Sequence, residues 1–205
     1  MQRMLRFTGV AAVVGALVFV SVAPASATER GSAVNIAPVV NTTNYHTAFR
    51  LAFSVKPIDA PTVFAANAAL ATASCASCRT VGIAFQIVFA KTAAVIRANN
   101  KAVAVSYRCT NCATLASAYQ FVVVGGSPSL PADTQRLLDQ VGRELSALKT
   151  STLPLEQVQA GIDALAADVL AALVGPTSAT RPQSAASAGN APQVLVDRKA
   201  DLKYA

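Results

Sequence analysis

Two copies of one pattern, 34 positions apart, constrain this chain more than any other feature. Residues 75–86 read Cys75-Ala-Ser-Cys78-Arg-Thr-Val-Gly-Ile-Ala-Phe85-Gln86, and residues 109–120 read Cys109-Thr-Asn-Cys112-Ala-Thr-Leu-Ala-Ser-Ala-Tyr119-Gln120. Both fit Cys-x-x-Cys-x-Thr-x-x-x-Ala-(Phe/Tyr)-Gln, and together they hold all four cysteines. After each cysteine pair the chain alternates with period two, as a strand does. Val81, Ile83, Phe85, Ile87 and Phe89 share one face, with Thr80, Gly82, Ala84, Gln86 and Val88 opposite. Leu115, Ser117, Tyr119, Phe121 and Val123 repeat that arrangement. Residues 101–108, with Val103, Val105 and Tyr107, alternate ahead of the second pair. The alanine-rich stretch 66–74 precedes the first pair, and the duplication makes it a strand although alanine favours helix.

Each unit is therefore expected to be a β-hairpin with its cysteines at the tip. Phe49, Leu51, Phe53 and Val55 predict an earlier strand over 47–56, ended by Pro57-Ile-Asp59-Ala-Pro61. Residues 28–45 offer an edge strand at best, because Pro38 has no N–H to give a ladder. Downstream, Leu138, Val141, Leu145 and Leu148 recur at helical spacing, as do Val158, Ile162, Leu165, Val169 and Leu173. Ser129 and Thr152 stand as capping hydroxyls ahead of Pro131 and Pro154. The expected fold class is α+β: an antiparallel sheet of about five or six strands, from two Cys-x-x-Cys-tipped hairpins plus preceding strands, covered by a C-terminal helical hairpin. The small residues Gly82, Ala84, Ala116 and Ala118 form the face expected to receive those helices.

The N-terminus has the three regions of a secretory signal peptide: Arg3 and Arg6, an apolar run from Phe7 to Ala23, then Ala25-Ser-Ala27. The domain plan is thus a signal peptide over 1–27, a sheet domain over 28–128, a helical hairpin over 129–175 and a flexible, Ser/Ala/Pro-rich tail over 176–205. Within that tail, residues 194–204 also suit docking as a strand or binding a partner. Cleavage after Ala27 lowers the formal charge from +7 to +5. No later segment reads as a membrane span, so the expected location is secreted or in the cell envelope. From Ala60 to Ala132 there is no acid, whereas 133–175 is acidic on balance. Attraction between those halves across an internal interface is expected ahead of polyanion binding. Five bases spread over seventy residues make no nucleic-acid patch.

Four cysteines in an exported chain point first to disulfides. Local bonds Cys75–Cys78 and Cys109–Cys112 are geometrically easy and contribute roughly 2 kcal/mol each on the chain-entropy model; bonds between the tips would contribute roughly 4. Two other chemistries suit Cys75, Cys78, Cys109 and Cys112. Four thiolates can hold zinc tetrahedrally, against which stand a 30-residue gap and the lack of a glycine after either pair. Thiol–disulfide exchange is the other, with Arg79 and Arg108 placed to lower a thiol pKa; but exchange-active pairs usually open a helix, and these lead into strands. The sole histidine, His46, reads as a surface residue. No Gly-x-Ser-x-Gly, phosphate-binding glycine loop or His-Glu-x-x-His is present, so no catalytic residue and no cofactor is assigned.

The Cys75-x-x-Cys78-Arg-Thr-x-x-x-Ala-Phe85-Gln86 string, its second copy through Phe121, and the upstream Phe49-Arg-Leu-Ala-Phe53 resemble a group of exported actinobacterial proteins. A similar module occurs in larger membrane proteins labelled peptide zinc metalloproteases. The resemblance covers roughly residues 44–175. It implies an extracytoplasmic accessory or peptide-binding module, and no protease activity, since the zincin helix motif is absent. The expected function is a secreted, non-enzymatic binding or structural module stabilised by disulfides, its partner an extracellular protein, peptide or envelope component. The alternative is a cysteine-dependent protein, zinc-binding or thiol-exchanging.

Overall fold

The computed structural model describes residues 31–125, 130–174 and 193–205. The expected signal peptide, residues 126–129 with the expected capping Ser129, and the expected tail from 176 through 192 lie outside the described residues. Among the described residues, seven strands form two sheets. Strands β1 (Ser32–Asn41), β3 (Thr62–Ala73) and β5 (Val95–Ser106) make sheet A. Strands β2 (Thr47–Ile58), β4 (Arg79–Ala90), β6 (Ala113–Val124) and β7 (Gln193–Tyr204) make sheet B. Helices α1 (Ala132–Ala147) and α2 (Leu155–Val174) follow the sixth strand, joined through a short 3-10 turn.

The α+β class stands, but the antiparallel sheet and the two hairpins do not. All pairs among β1, β3 and β5, and among β2, β4 and β6, are parallel; only β7 runs antiparallel, against β6. Each Cys-x-x-Cys turn does reverse the chain, yet it delivers the next strand to the other sheet. Strands β1–β2, β3–β4 and β5–β6 thus form three stacked arches. The reason is visible in the faces. A hairpin would hydrogen-bond β3 to β4 edge to edge, whereas here their small side chains meet face to face. Ala37, Ala69, Ala71 and Ala104 of sheet A close on Ala84, Ala116 and Ala118 of sheet B. Gly82 marks a close approach: a Cβ there would stand 3.3 Å from Ala37 O and from Val39 Cγ1.

Buried amides run through this interior in columns. Asn35 Nδ2 donates to Asn67 Oδ1, and Asn67 Nδ2 to Asn100 Oδ1, both at 2.8 Å. Asn67 Nδ2 also lies 3.1 Å from Ala84 O and 2.9 Å from Tyr119 O. In sheet B, Gln120 Nε2 donates to Gln86 Oε1 at 2.8 Å. These contacts satisfy groups that would otherwise be costly to bury, leaving Gln120 Oε1 as the buried amide oxygen of these columns without a partner among the described residues.

The larger face of sheet B receives the helices. Val81, Ile83, Phe85, Ile87, Leu115 and Phe121 pack with Leu138, Val141, Leu145, Val158, Ile162 and Val169 in one core. The expectation that the helices would cover Gly82 and the alanines is therefore reversed: leucine-bearing helices fill the large-residue face, and the small face takes the second sheet. Helix α2 is long and apolar enough by composition to cross a bilayer, contrary to the expectation for later segments, but its Leu155, Val158, Ile162 and Val169 side chains are core. The acid-rich helices do not grip the basic stretch through ion pairs. The salt bridges of the helices among the described residues are Arg136–Asp133 and Arg198–Asp163, the second reaching β7.

Strand β2 runs through Pro57 to Ile58 instead of ending before it. Its ladder explains why. Even-numbered β2 residues face β4, as in Arg79 N to His46 O, so odd-numbered Pro57 turns its nitrogen to the open edge. Pro38 does the same in β1, where the odd-numbered residues serve the ladder (Phe64 N to Gly31 O, Ser74 N to Asn41 O). The edge-strand reading of Pro38 agrees with this. At the other end, the sequence placed in the tail forms β7 over its last residues and pairs along all of β6.

Two substitutions test this interior. Asn67→Ala leaves the Asn35 and Asn100 amides without their central partner, with an expected loss of about 3 kcal/mol in urea unfolding. Gly82→Val is expected to cost about 2 kcal/mol by the same measurement, as overpacking between the sheets.

Candidate functional site

The arch tips stack as the strands do. Residues 42–46, 74–78 and 107–112 connect the strands of the three arches. Each connection carries a residue in the left-handed region at the matching place, Tyr45 (φ 57°), Ser77 (φ 50°) and Asn111 (φ 57°), and the third has a second one, Arg108 (φ 50°). A side chain there costs roughly 1–2 kcal/mol, offset by bonds between neighbouring tips. Tyr45 N donates to Ala76 O at 2.9 Å and Ser77 N to Thr110 O at 2.8 Å, and Ala76 forms a parallel bridge with Thr110.

This stacking gathers all four predicted cysteines. The Sγ atoms of Cys75, Cys78, Cys109 and Cys112 all lie within 4.8 Å of one another, an arrangement able to hold a metal ion. Cys75 and Cys78 are bonded to each other, while Cys109 and Cys112 are free. Cys78 Sγ stands 3.1 Å from Cys112 Sγ, so the two pairs touch across the arches. Cys75, Cys78 and Cys112 are buried with Ala73 at the end of the inter-sheet core; Cys109 is half-buried. Burial, then its hydrogen bond to Cys112, pushes the Cys109 thiol above its ordinary value. At Cys112 burial opposes ionisation, but the bond from Cys109 and backbone contacts outweigh it and hold that thiol below its usual range.

The arginines expected to tune these thiols do not. Arg79 donates from Nη1 to Leu153 O at 2.6 Å, in the helical layer, and Arg108 lies over the Tyr107 ring, 5.1 Å from its centre. His46 is exposed, as expected of a surface residue. It also occupies the first-arch position equivalent to Cys78, since Thr47 pairs with Arg79.

The rest of the duplicated motif is structural, and each residue has a place. Thr80 and Thr114 are buried beside the cysteines, with Thr114 Oγ1 3.0 Å from Ser106 Oγ. Phe85 and Tyr119 belong to an aromatic row with Phe53, ring centres 5.6–5.7 Å apart. The Tyr119 hydroxyl accepts from Gln159 Nε2 and Arg198 Nε, both at 2.9 Å, and so ties sheet B to α2 and β7. Sequence reasoning missed the asparagine column; its signal was Asn35, Asn67 and Asn100 at spacings of 32 and 33.

A second surface stands out on the far side of the molecule. The outer face of sheet A presents Val34, Ile36, Val40, Phe64, Leu70 and Val105, each more than a third exposed, with Val34 and Val40 at 64% and 68%. Arg97 and Lys101 of β5 lie on the same face, and none of the three strands contains an acid. No protein-family model matches the chain, and no curated protein or solved structure is matched by it.

Replacing the bonded pair together, as Cys75→Ala with Cys78→Ala, is expected to lower stability in urea by about 2 kcal/mol, the value for so short a loop. A loss near 4 kcal/mol would instead indicate a bond joining the two arches.

Proposed function

We propose that this protein is an exported, non-enzymatic binding module that presents the outer face of sheet A to a component of the cell envelope. The observation that carries the reading is the contiguous apolar face built by Val34, Ile36, Val40, Phe64, Leu70 and Val105, uncovered among the described residues while the opposite side is sealed by two helices. Scattered apolar residues on a surface need no explanation, but a patch formed by three adjacent strands marks a contact surface. Its charge narrows the partner. With Arg97 and Lys101 beside the patch and no acid in these strands, the favoured partner presents an apolar surface with neutral or anionic groups at its margin.

The interior supports a scaffold and not a reaction centre. The buried asparagines are engaged with one another and with backbone carbonyls along the stack, and Gln86 and Gln120 join each other. The cysteines complete the scaffold as clasps at the arch tips: Cys75–Cys78 closes the second arch, and Cys109–Cys112 is proposed to close the third in the oxidised, exported protein. Signal cleavage after Ala27 belongs to the same reading.

The test is fractionation of cells expressing the full chain and its Val40→Glu/Phe64→Glu variant. Both side chains point to solvent, so the variant is expected to keep its circular dichroism. Wild type is expected in the envelope fraction and the variant in the medium, both with the mass of residues 28–205. Equal partition of the two proteins overturns the reading.

A further inference from the structure

We propose that Cys75, Cys78, Cys109 and Cys112, once all four are reduced, form one tetrathiolate site for zinc that ties the second arch to the third. This does not rest on the binding role of sheet A, and its test reads a different property. A zinc ion with sulfur ligands at about 2.3 Å sets the ligands about 3.8 Å apart. The four Sγ atoms already lie within 4.8 Å of one another, so shifts on the order of 1 Å, within the reach of side-chain rotation, would bring them onto such a tetrahedron.

Three features favour metal over a chance meeting of thiols. The ligands come two from each of two backbones that the Ser77–Thr110 hydrogen bond and the Ala76–Thr110 bridge hold together, so the cage is assembled by the fold before any ion arrives. The ligand set is sulfur alone, which selects zinc and other thiophilic ions over magnesium or calcium. A tetrathiolate of a divalent ion carries a net charge of −2, and the stretch from Ala60 to Ala132 that holds it has five bases and no acid. His46, at the equivalent position of the first arch, is exposed and lies outside the sulfur cluster, which confines the site to two arches.

Zinc and the disulfide exclude each other. A phosphine supplies two electrons to Cys75–Cys78 and leaves as its oxide, with water giving the oxygen and the two protons that make two thiols. Zinc then takes four thiolates while four protons pass to solvent. Local disulfides lock each arch to itself, whereas the metal joins one arch to the next.

The experiment uses the full exported chain, reduced with a phosphine under inert gas and titrated with Zn²⁺ alone, then with Co²⁺ as a spectroscopic stand-in. One ion per chain is expected. Cobalt should give thiolate charge-transfer absorption and the intense visible bands of a tetrahedral site, and bound zinc should block alkylation of all four cysteines. Cys112→Ser should weaken zinc binding by more than the ~100-fold that loss of an outer contact costs. If the reduced chain unfolds without metal, one equivalent of zinc should restore its circular dichroism. The inference is overturned by a reduced chain that takes up no ion or is not refolded by zinc. Binding left unchanged in Cys112→Ser overturns it equally.

Discussion

The structure depends on parallel, in-register stacking of like over like, and the buried asparagines are what make that register binding. Asn35, Asn67 and Asn100 each need a polar partner in an interior lined mainly by small apolar residues. The partner available is the same residue in the neighbouring arch. Because side chains alternate along a strand, a slip of one residue would turn an asparagine to solvent and bury its neighbour. In β1 that neighbour is Val34 or Ile36; the alanines could move with little cost, but the unpaired amides could not. The Phe53–Phe85–Tyr119 row enforces the same register on the other side of sheet B. The cysteines meet because the register set by these interior residues carries the turns along with it.

Side-chain size then decides the order of the layers. Strands β4 and β6 are buried along nearly their whole length and on both faces, yet those faces differ in depth. Glycine and alanine on one side let the two sheets approach until a Cβ at Gly82 would crowd the Ala37 carbonyl. Phenylalanine, isoleucine and leucine on the other side leave ridges that a helix can fill. Among the described residues sheet A packs on sheet B, and its outer side chains are left exposed.

The alternation of faces in β4 and β6, the strand over 66–73, the two helices and the closeness of the four sulfurs were all legible in the chain. Direction was not. A period of two is the same whether β3 and β4 pair edge to edge or face each other across an arch, and a turn of Cys-x-x-Cys length serves both. Two visible copies suggested two hairpins. The third unit, which would have suggested a stack, escaped because its turn carries Thr43 and His46 where the others carry cysteine, and its strand carries Ser54 where the others carry glutamine. The spacing of Asn35, Asn67 and Asn100 was the better signal, hidden because a buried asparagine looks like any polar residue in an alanine-rich strand. Composition likewise made residues 193–204 part of a tail, since five charges of mixed sign do not resemble a strand until β6 offers it an edge.

A stack of arches has two ends, and each would be a template for another chain unless blunted. At the first end, Pro38 in β1 and Pro57 in β2 both turn their nitrogens to the open edge, which removes a donor from each sheet where an incoming strand would need one. At the last end, β7 covers β6, and its own outer edge carries Asp197, Arg198, Lys199, Asp201 and Lys203. It also serves β5 without pairing to it: the Asp201 carboxylate accepts from Ala104 N at 3.0 Å, and Asp197 O accepts from Asn100 Nδ2 at 2.8 Å. The second of these gives the last asparagine of the column the partner that a fourth arch would have supplied. With both ends closed by such different means, the stack stops at three arches, and growth by edge pairing is disfavoured in either direction. On the proposed binding role, the surface open to a partner among the described residues is a face and not an edge, so recognition there would rest on apolar contact and charge instead of on added strand hydrogen bonds.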